Sequence, residues 1–170
     1  MRWDRATYLR LLPVLSARAR IAKGAEEAGE FDARDVSAAY RLKQSAFQEL
    51  VQRHGIAIRP GVSDLLTSAQ RLGLARAFTS STSRVQVNTV LEGLRGTVNE
   101  RHFDYIGEAA RVKAPKPAPD IYVDAMMKLG VRPADVLCVE DTPETAQAAR
   151  DAGLSVVGFP GVASYGRAFP

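Results

Sequence analysis

The sequence predicts an α/β fold in which a parallel sheet is covered by helices and preceded by a small helical segment. Two observations support this prediction. Over residues 61–170, short apolar runs alternate with segments of helical spacing, which is typical of a parallel sheet. Before residue 59, the apolar residues recur only at helical spacing. We therefore predict two domains, a helical one over residues 1–58 and an α/β core over residues 59–170.

The helical part contains one clear helix start and one polar break. Asp32, followed three residues later by Asp35, resembles a capping box with aspartate in place of glutamate. Apolar residues then recur at helical spacing over residues 36–51 until Gly55 ends the run. The polar segment 23–30 contains two glycines and is predicted to be a turn.

In the second part, predicted strands and helices alternate along the chain. The predicted strands are short apolar runs at 74–79, 103–106, 136–139 and 154–159. The predicted helices end at or near a glycine and lie at 62–72, 84–94, 119–129 and 143–152. Because functional groups gather at the carboxyl ends of parallel strands, we look for a site in the loops that follow these strands.

Length and composition exclude several classes of protein. The 170 residues, 46% hydrophobic and 25% charged, are typical of one soluble globular domain or a small domain with an insertion. The single cysteine, Cys138, excludes an internal disulfide and a cysteine-rich zinc site, and we predict that it is a core thiol. No apolar run approaches the roughly 20 residues of a membrane span, and we see no signal-peptide core, so we predict a cytoplasmic location and no membrane partner.

The net charge of +4 lies entirely in the first sixty residues. These contain 11 basic and 7 acidic side chains, whereas the remaining residues contain 12 of each. Such a segment could attract an anionic ligand such as a phosphate ester. It has no dense block of lysine and arginine and no interleaved aromatic residues, so we predict a solvated helical surface and no nucleic-acid partner.

A run of hydroxyl side chains follows the predicted strand at 74–79. Ser80, Ser81, Thr82 and Ser83 precede a predicted helix whose backbone amides point back at them. Such amides and hydroxyls can hold an anion. The alternative is that the hydroxyls only cap the helix.

A proline-rich loop and a pair of acids complete the candidate site. Lys116 lies among three prolines that stiffen its loop, so its ammonium group can be aimed at a phosphoryl group; alternatively, the loop is a rigid linker with solvated lysines. Glu140 and Asp141 follow the predicted strand at 136–139 and suit a hard cation such as Mg²⁺. The alternative for these acids is a favourable position at a helix N-terminus.

Together, and in this order, the three groups form a specific pattern. The chain resembles the haloacid dehalogenase superfamily of phosphatases, in particular its CbbY-like and β-phosphoglucomutase-like subgroup. The segments Lys116-Pro-Ala-Pro-Asp-Ile-Tyr and Val139-Glu-Asp-Thr resemble motifs III and IV of that subgroup. Arg59-Pro-Gly-Val resembles the return from cap to core, and the segment from Trp3 to Ile21 resembles part of the helical cap.

The resemblance implies a Rossmann-like parallel sheet with helices on both faces and a small helical cap. It implies that Ser80 hydrogen-bonds a phosphoryl oxygen, that Lys116 neutralises charge in the transfer, and that Glu140 and Asp141 hold Mg²⁺. It also implies substrate contacts in the hydroxyl loop and on the cap, which we assign to Ser81, Thr82, Arg20 and Lys43.

The nucleophile motif of the family, Asp-x-Asp-Gly-Thr, does not occur in the 170 residues. In the family its first aspartate attacks phosphorus and its second acts as general acid and base. Asp4 and Asp32 follow no apolar strand, so neither is assigned this role. The resemblance places the strand with this motif between the strands at 74–79 and 136–139, so we expect a gap there and self-association through unpaired strand edges.

The resemblance thus predicts a Mg²⁺-dependent phosphatase of a small phosphorylated metabolite, with a sugar phosphate as the expected substrate. The motifs do not separate a phosphatase from a mutase. Three accounts of the missing motif remain open: a start codon upstream of Met1, a decayed fragment, or a non-catalytic phosphate-binding or interaction protein. An in-frame Asp-x-Asp-Gly-Thr upstream of Met1 would favour the first account, and an in-frame stop codon would favour the others.

Overall fold

The computed structural model describes residues 4–14, 16–29 and 32–170. Trp3, where the resemblance to a helical cap begins, and Glu30, where the predicted turn ends, lie outside the described residues. No helix in the described ranges is long and apolar enough to cross a membrane.

Three helices lie before residue 59 in the described part of the chain. They are α1 (Arg5–Leu11), α2 (Ala17–Ala28) and α3 (Ala33–His54). The predicted capping box at the start of α3 is confirmed. The Asp32 carboxylate accepts hydrogen bonds from the amides of Arg34 and Asp35 at 2.7 and 3.0 Å, and the Asp35 carboxylate accepts one from the amide of Asp32 at 3.1 Å.

The predicted turn at 23–30 is wrong for most of its length, because α2 continues to Ala28 and ends at Gly29 with φ 67°. The small residues Gly24 and Ala25 are buried, whereas the polar residues beside them face solvent. A polar segment with a glycine can therefore remain helical where its small residues face a neighbouring helix. A small apolar cluster holds α2 against α3 and consists of Ile21, Ala25 and Val36.

The remaining chain alternates helices and short strands, as predicted. The elements are α4 (Val62–Arg71), β1 (Ala77–Thr79), α5 (Arg84–Gly93), β2 (Tyr105–Gly107), α6 (Asp120–Leu129), β3 (Leu137–Glu140), α7 (Pro143–Asp151) and β4 (Ser155–Gly158). Their bounds differ from the predicted ones by at most three residues. One difference concerns the site: β3 includes Glu140 as its last residue, so this acid belongs to the strand and does not follow it.

The strands form two separate parallel pairs. β1 pairs with β2, and β3 pairs with β4. Within the described residues no strand pairing joins β1 to β3, the two strands that were predicted to flank a gap. Helix α6 lies against β1 and β2, and its Ile121, Tyr122 and Met126 belong to the core against which β3 and β4 pack. This helix therefore connects the two halves of the interrupted sheet.

The two strand pairs are covered differently. Phe78 and Ile106 of the first pair pack against the α5 core, while Gly107 on its other face lies against Ile121 of α6. In the second pair, Cys138 and Val156 pack against the core formed by α6 and α7. The opposite face of this pair is open, with side chains that remain 41–62% exposed: Leu137, Val139 and Val157.

Candidate functional site

The centre of the candidate site is a buried ion pair between Lys116 and Glu140. The Lys116 Nζ lies 2.7 Å from Glu140 Oε1, and the two residues are only 7% and 9% exposed. The loop before α6 carries the lysine, and the end of β3 carries the glutamate. Lys116 is therefore not the solvated lysine of a linker, although Lys113 in the same loop is exposed. The alternative of an acid at a helix N-terminus does not apply to Glu140, since it lies inside the strand.

Tyr122, from the first turn of α6, completes this buried group. Its hydroxyl donates to Glu140 Oε1 at 2.6 Å and lies 3.0 Å from the carbonyl oxygen of Thr145. The Lys116 ammonium lies 4.5 Å from the centroid of the Tyr122 ring. Burial, reinforced by the negative charge of Glu140, raises the pKa of Tyr122 far above its ordinary value, so the hydroxyl keeps its proton and remains a donor.

Cys138 lies two residues before Glu140 on the same strand. Its Sγ is 3.9 Å from Glu140 Oε1. Burial, together with the charge of Glu140, raises the pKa of Cys138 to about 12. A thiol with this pKa is not a thiolate near neutral pH, which agrees with the predicted core thiol and argues against a nucleophile.

Asp141 presents the second carboxylate of the pair toward solvent. Although the residue is exposed overall, neighbouring groups partly desolvate its carboxyl and raise its pKa, and the charge of Glu140 adds to this effect. The positive charges of Lys116 and Arg59 act in the opposite direction. Because desolvation disfavours the charged carboxylate, a further cation beside Asp141 would stabilise its ionised form.

These two acids fit a Mg²⁺ ion of the kind that keeps several waters. Such ions are commonly held by one or two carboxylates together with the phosphate of a substrate. Within the described residues, no group of three or more histidine, cysteine, aspartate or glutamate side chains could form a complete protein cage for a metal. The donor set therefore fits an ion shared with water and a phosphoryl group.

The segment after β4 supports the backbone of the acid pair. Ser164 is 1% exposed, and its hydroxyl donates to the carbonyl oxygen of Asp141. Arg167 forms a two-pronged ion pair with Glu144 in the first turn of α7, one prong being 3.1 Å long. Sequence reasoning missed these contacts, because no local pattern relates Ser164 to an aspartate 23 residues earlier.

Arg59, which follows the helical segment, binds the loop that comes after β4. Its guanidinium donates to the carbonyl oxygens of Phe159 and Pro160, both at 2.8 Å, and stacks 3.6 Å from the centroid of the Phe159 ring. The Arg59-Pro-Gly motif marked only a chain connection in the sequence. In the fold, its arginine also holds the loop that follows β4.

The hydroxyl loop after β1 is folded on itself. Ser80 Oγ lies 2.9 Å from Thr82 Oγ1 and accepts a hydrogen bond from the Thr82 amide at 3.2 Å, while Ser81 is half-buried. Ser83 occupies the N-cap position of α5, but its side chain makes no capping hydrogen bond. The alternative that these hydroxyls only cap the helix therefore does not apply to the N-cap residue of α5. In the part of the chain that the structure describes, no hydrogen bond joins Ser80 to Lys116.

The two basic residues predicted on the cap lie near each other on α2 and α3. Partial burial lowers the pKa of Lys43, and the positive charge of Arg20 adds to the effect. Arg20 also donates to the carbonyl oxygen of Val14 at 2.7 Å, and Lys43 Nζ lies 5.5 Å from the centroid of the Phe47 ring. The structure thus brings these two cations together on the helical segment.

Comparison with known proteins supplies the family. A family model for haloacid dehalogenase-like hydrolases matches residues 4–153. The protein CbbY of Cereibacter sphaeroides is 32% identical over 160 residues, which cover 94% of this chain and 70% of that protein. The chain belongs to the haloacid dehalogenase-like hydrolase family. The resemblance seen in the motifs is thereby confirmed.

A solved structure and a more distant relative extend this comparison. The crystal structure of a CbbY mutant from Rhodobacter sphaeroides in complex with xylulose-(1,5)bisphosphate is similar to this chain with a TM-score of 0.88 and 30% identity. The similarity covers 99% of this chain and 76% of that one. The phosphorylated carbohydrates phosphatase of Thermotoga maritima is 31% identical over 112 residues, or 66% of this chain and 48% of that protein.

Replacing the buried lysine tests how strongly the ion pair holds the site. We expect Lys116→Met to lower the free energy of unfolding by about 3–5 kcal/mol, because it leaves the buried Glu140 charge without its counter-ion. Urea denaturation measures the change. Arg132→Met is a matched control, since the side chains of its ion pair with Asp135 are 82% and 51% exposed, and we expect it to cost at most about 1 kcal/mol. Equal effects of the two substitutions would contradict this view of the pair.

Proposed function

We propose that this protein is a Mg²⁺-dependent phosphatase of a small phosphorylated metabolite, with a sugar phosphate as the substrate class. The observation that carries the proposal is the buried Lys116–Glu140 pair at the end of β3, directly before Asp141. An ammonium group beside two carboxylates suits the transfer of a phosphoryl group, which depends on positioning and charge neutralisation. We further propose that residues 1–58 form a helical cap over an α/β core at 59–170.

The relatives support the substrate class. One is called a phosphorylated carbohydrates phosphatase, and the CbbY structure holds a sugar bisphosphate. The paired cations Arg20 and Lys43 on the helical segment suit contact with an anionic group of such a substrate. Ser81 and Thr82 would contact the phosphoryl group from the hydroxyl loop.

The chemistry assigned to the chain's own residues is electrostatic. Ser80 would donate to a phosphoryl oxygen, and the first amides of α5, which no side chain caps, would donate to the same group. Lys116 would neutralise charge that develops during the transfer. Glu140 and Asp141 would hold Mg²⁺, which when bound lowers the charge of the phosphoryl oxygens.

Binding of inorganic phosphate tests the anion part of this proposal. We expect phosphate to shift the NMR signals of residues around Ser80 and Lys116, and we expect Lys116→Ala to weaken binding about tenfold or more, since a charge-assisted hydrogen bond is lost. Lys113→Ala is the matched control, because this lysine lies in the same loop but is exposed. Equal phosphate affinity in the wild type and Lys116→Ala would count against the site.

A second candidate function is non-catalytic binding of a phosphorylated ligand. Within the 170 residues, no Asp-x-Asp-Gly-Thr motif supplies a nucleophile. The two early aspartates are also engaged, since Asp4 caps α1 through the amide of Thr7 at 2.7 Å and Asp32 caps α3. Both candidate functions require the anion site, and only the first requires turnover.

A further inference from the structure

Three donors converge on a single oxygen of Glu140. Lys116 Nζ lies at 2.7 Å, the Tyr122 hydroxyl at 2.6 Å and Cys138 Sγ at 3.9 Å, all measured to Oε1. Within the described ranges, no hydrogen bond reaches the other carboxylate oxygen, Oε2. The two oxygens of the same side chain are therefore in different situations.

The two short contacts use the capacity of Oε1. A carboxylate oxygen offers about two lone-pair sites, and the ammonium and the hydroxyl take one each. Oε1 therefore binds only groups of the protein interior. Oε2 is the oxygen that remains available for a cation or for a water of its shell.

The lysine alone would not fix this orientation. An ammonium group is a compact charge with three rotatable donors on a flexible stem, so it can follow either carboxylate oxygen. Tyr122 differs because the residue is only 3% exposed and packs in the core with Ile121 and Met126. Its hydroxyl therefore has a fixed position, from which the hydrogen is directed at Oε1.

The second neighbour of the hydroxyl does not compete strongly for this hydrogen. The carbonyl oxygen of Thr145 lies at 3.0 Å, compared with 2.6 Å for Glu140 Oε1. The hydroxyl has one hydrogen, and the shorter bond to an ionised acceptor is the stronger of the two.

We propose that Tyr122 is a positioning residue, whose hydroxyl holds Glu140 Oε1 inward and thereby leaves Oε2 directed to the metal side of the site. This proposal rests on the proposed function, which makes Glu140 and Asp141 a Mg²⁺ site. It assigns to the tyrosine of the Lys116-Pro-Ala-Pro-Asp-Ile-Tyr segment a role in metal affinity and none in direct contact with the substrate.

Metal titration of the full 170-residue chain tests the role of Tyr122. Mn²⁺, followed by electron paramagnetic resonance, serves as the probe for the Mg²⁺ site. We expect Tyr122→Phe to weaken Mn²⁺ binding about five- to tenfold, because a hydrogen bond that orients a charged ligand is lost. Affinity for inorganic phosphate without metal should change less than about twofold, because Lys116 remains. A loss of packing alone would not weaken Mn²⁺ binding while leaving phosphate binding nearly unchanged.

Tyr105→Phe is the matched control for this substitution. Tyr105 is also buried, and its hydroxyl donates to the Asp124 carboxylate while accepting from Arg111 Nε at 2.9 Å. The control therefore removes a similar tyrosine–carboxylate bond at another position, and we expect unchanged Mn²⁺ affinity. Wild-type affinity in Tyr122→Phe, or equal weakening in both variants, would overturn the proposal.

Asp141→Asn separates failure of this inference from failure of the proposed function. If Asp141→Asn binds Mn²⁺ as the wild type does, the metal site is not at this pair, and the role of Tyr122 is overturned with it. If Asp141→Asn weakens binding and Tyr122→Phe does not, the metal site stands and only the positioning role is wrong. Circular dichroism of each variant at the titration temperature verifies that the compared proteins are folded.

Discussion

The 170-residue chain is expected to show no Mg²⁺-dependent hydrolysis of p-nitrophenyl phosphate. It lacks the Asp-x-Asp-Gly-Thr motif, and charge neutralisation by Lys116 supplies no nucleophile. A chain extended at its N-terminus by an apolar strand that ends in this motif should gain turnover by about a millionfold or more over background. Initial rates of nitrophenol release from the two chains, with and without Mg²⁺, measure the difference.

Three variants control this experiment. In the extended chain, asparagine in place of the attacking aspartate of the added motif should abolish turnover while the fold is kept. In the 170-residue chain, Asp4→Ala and Asp32→Ala should have no effect on hydrolysis, because both side chains serve as helix caps. Turnover by the 170-residue chain that disappears in either of these variants would identify a replacement nucleophile and contradict the account.

The same extension is expected to raise the melting temperature by roughly 10–20 °C. A strand between β1 and β3 would form about five new backbone hydrogen bonds, each contributing about 1 kcal/mol, and 1 kcal/mol shifts the melting temperature of a chain of this size by about 2–4 °C. It would also cover apolar side chains that are now exposed, such as Leu137 and Val139. Scanning calorimetry of both chains measures the shift.

Self-association is the corresponding expectation for the chain without the added strand. Unpaired strand edges and the open face of the β3–β4 pair favour contact with a second copy. Sedimentation velocity should show oligomers for the 170-residue chain and fewer for the extended chain. A monomer with a sharp transition that the extension does not shift would mean that another segment fills the position. The tail is a poor candidate for this, because Ser164 binds the carbonyl oxygen of Asp141, Arg167 pairs with Glu144 and Phe169 packs on Gly158.

Features that depend on neighbours in the chain could be predicted from the sequence. The capping box of Asp32 and Asp35 and the helix ends at Gly55 and Gly130 follow from local backbone chemistry, and the structure has all of them. The alternation of helices and strands followed from hydrophobic periodicity. The interruption of the sheet followed from the resemblance to a family whose first core strand carries a motif that this sequence does not contain.

Features that depend on distant contacts could not be predicted in the same way. The helix through residues 23–28 is stabilised by its packing on α3, which local polarity does not reveal. The sequence pattern marked Lys116 and Glu140 as candidates, but their burial and their direct contact are properties of the folded chain. Tyr122 lay within the quoted motif, and only its place beneath the ion pair indicates what its hydroxyl does.

Crystals of the 170-residue chain soaked with Mn²⁺ and phosphate offer the most direct test of the central claim, that a phosphoryl and metal site exists at the carboxyl ends of these strands. We expect an anomalous Mn²⁺ peak at the Asp141 carboxylate, with Glu140 Oε2 directed toward it and a phosphate between the metal and the ammonium of Lys116. The hydroxyl of Ser80 should contact the same phosphate. Mn²⁺ and phosphate bound elsewhere, with Asp141 in contact only with solvent, would contradict the account.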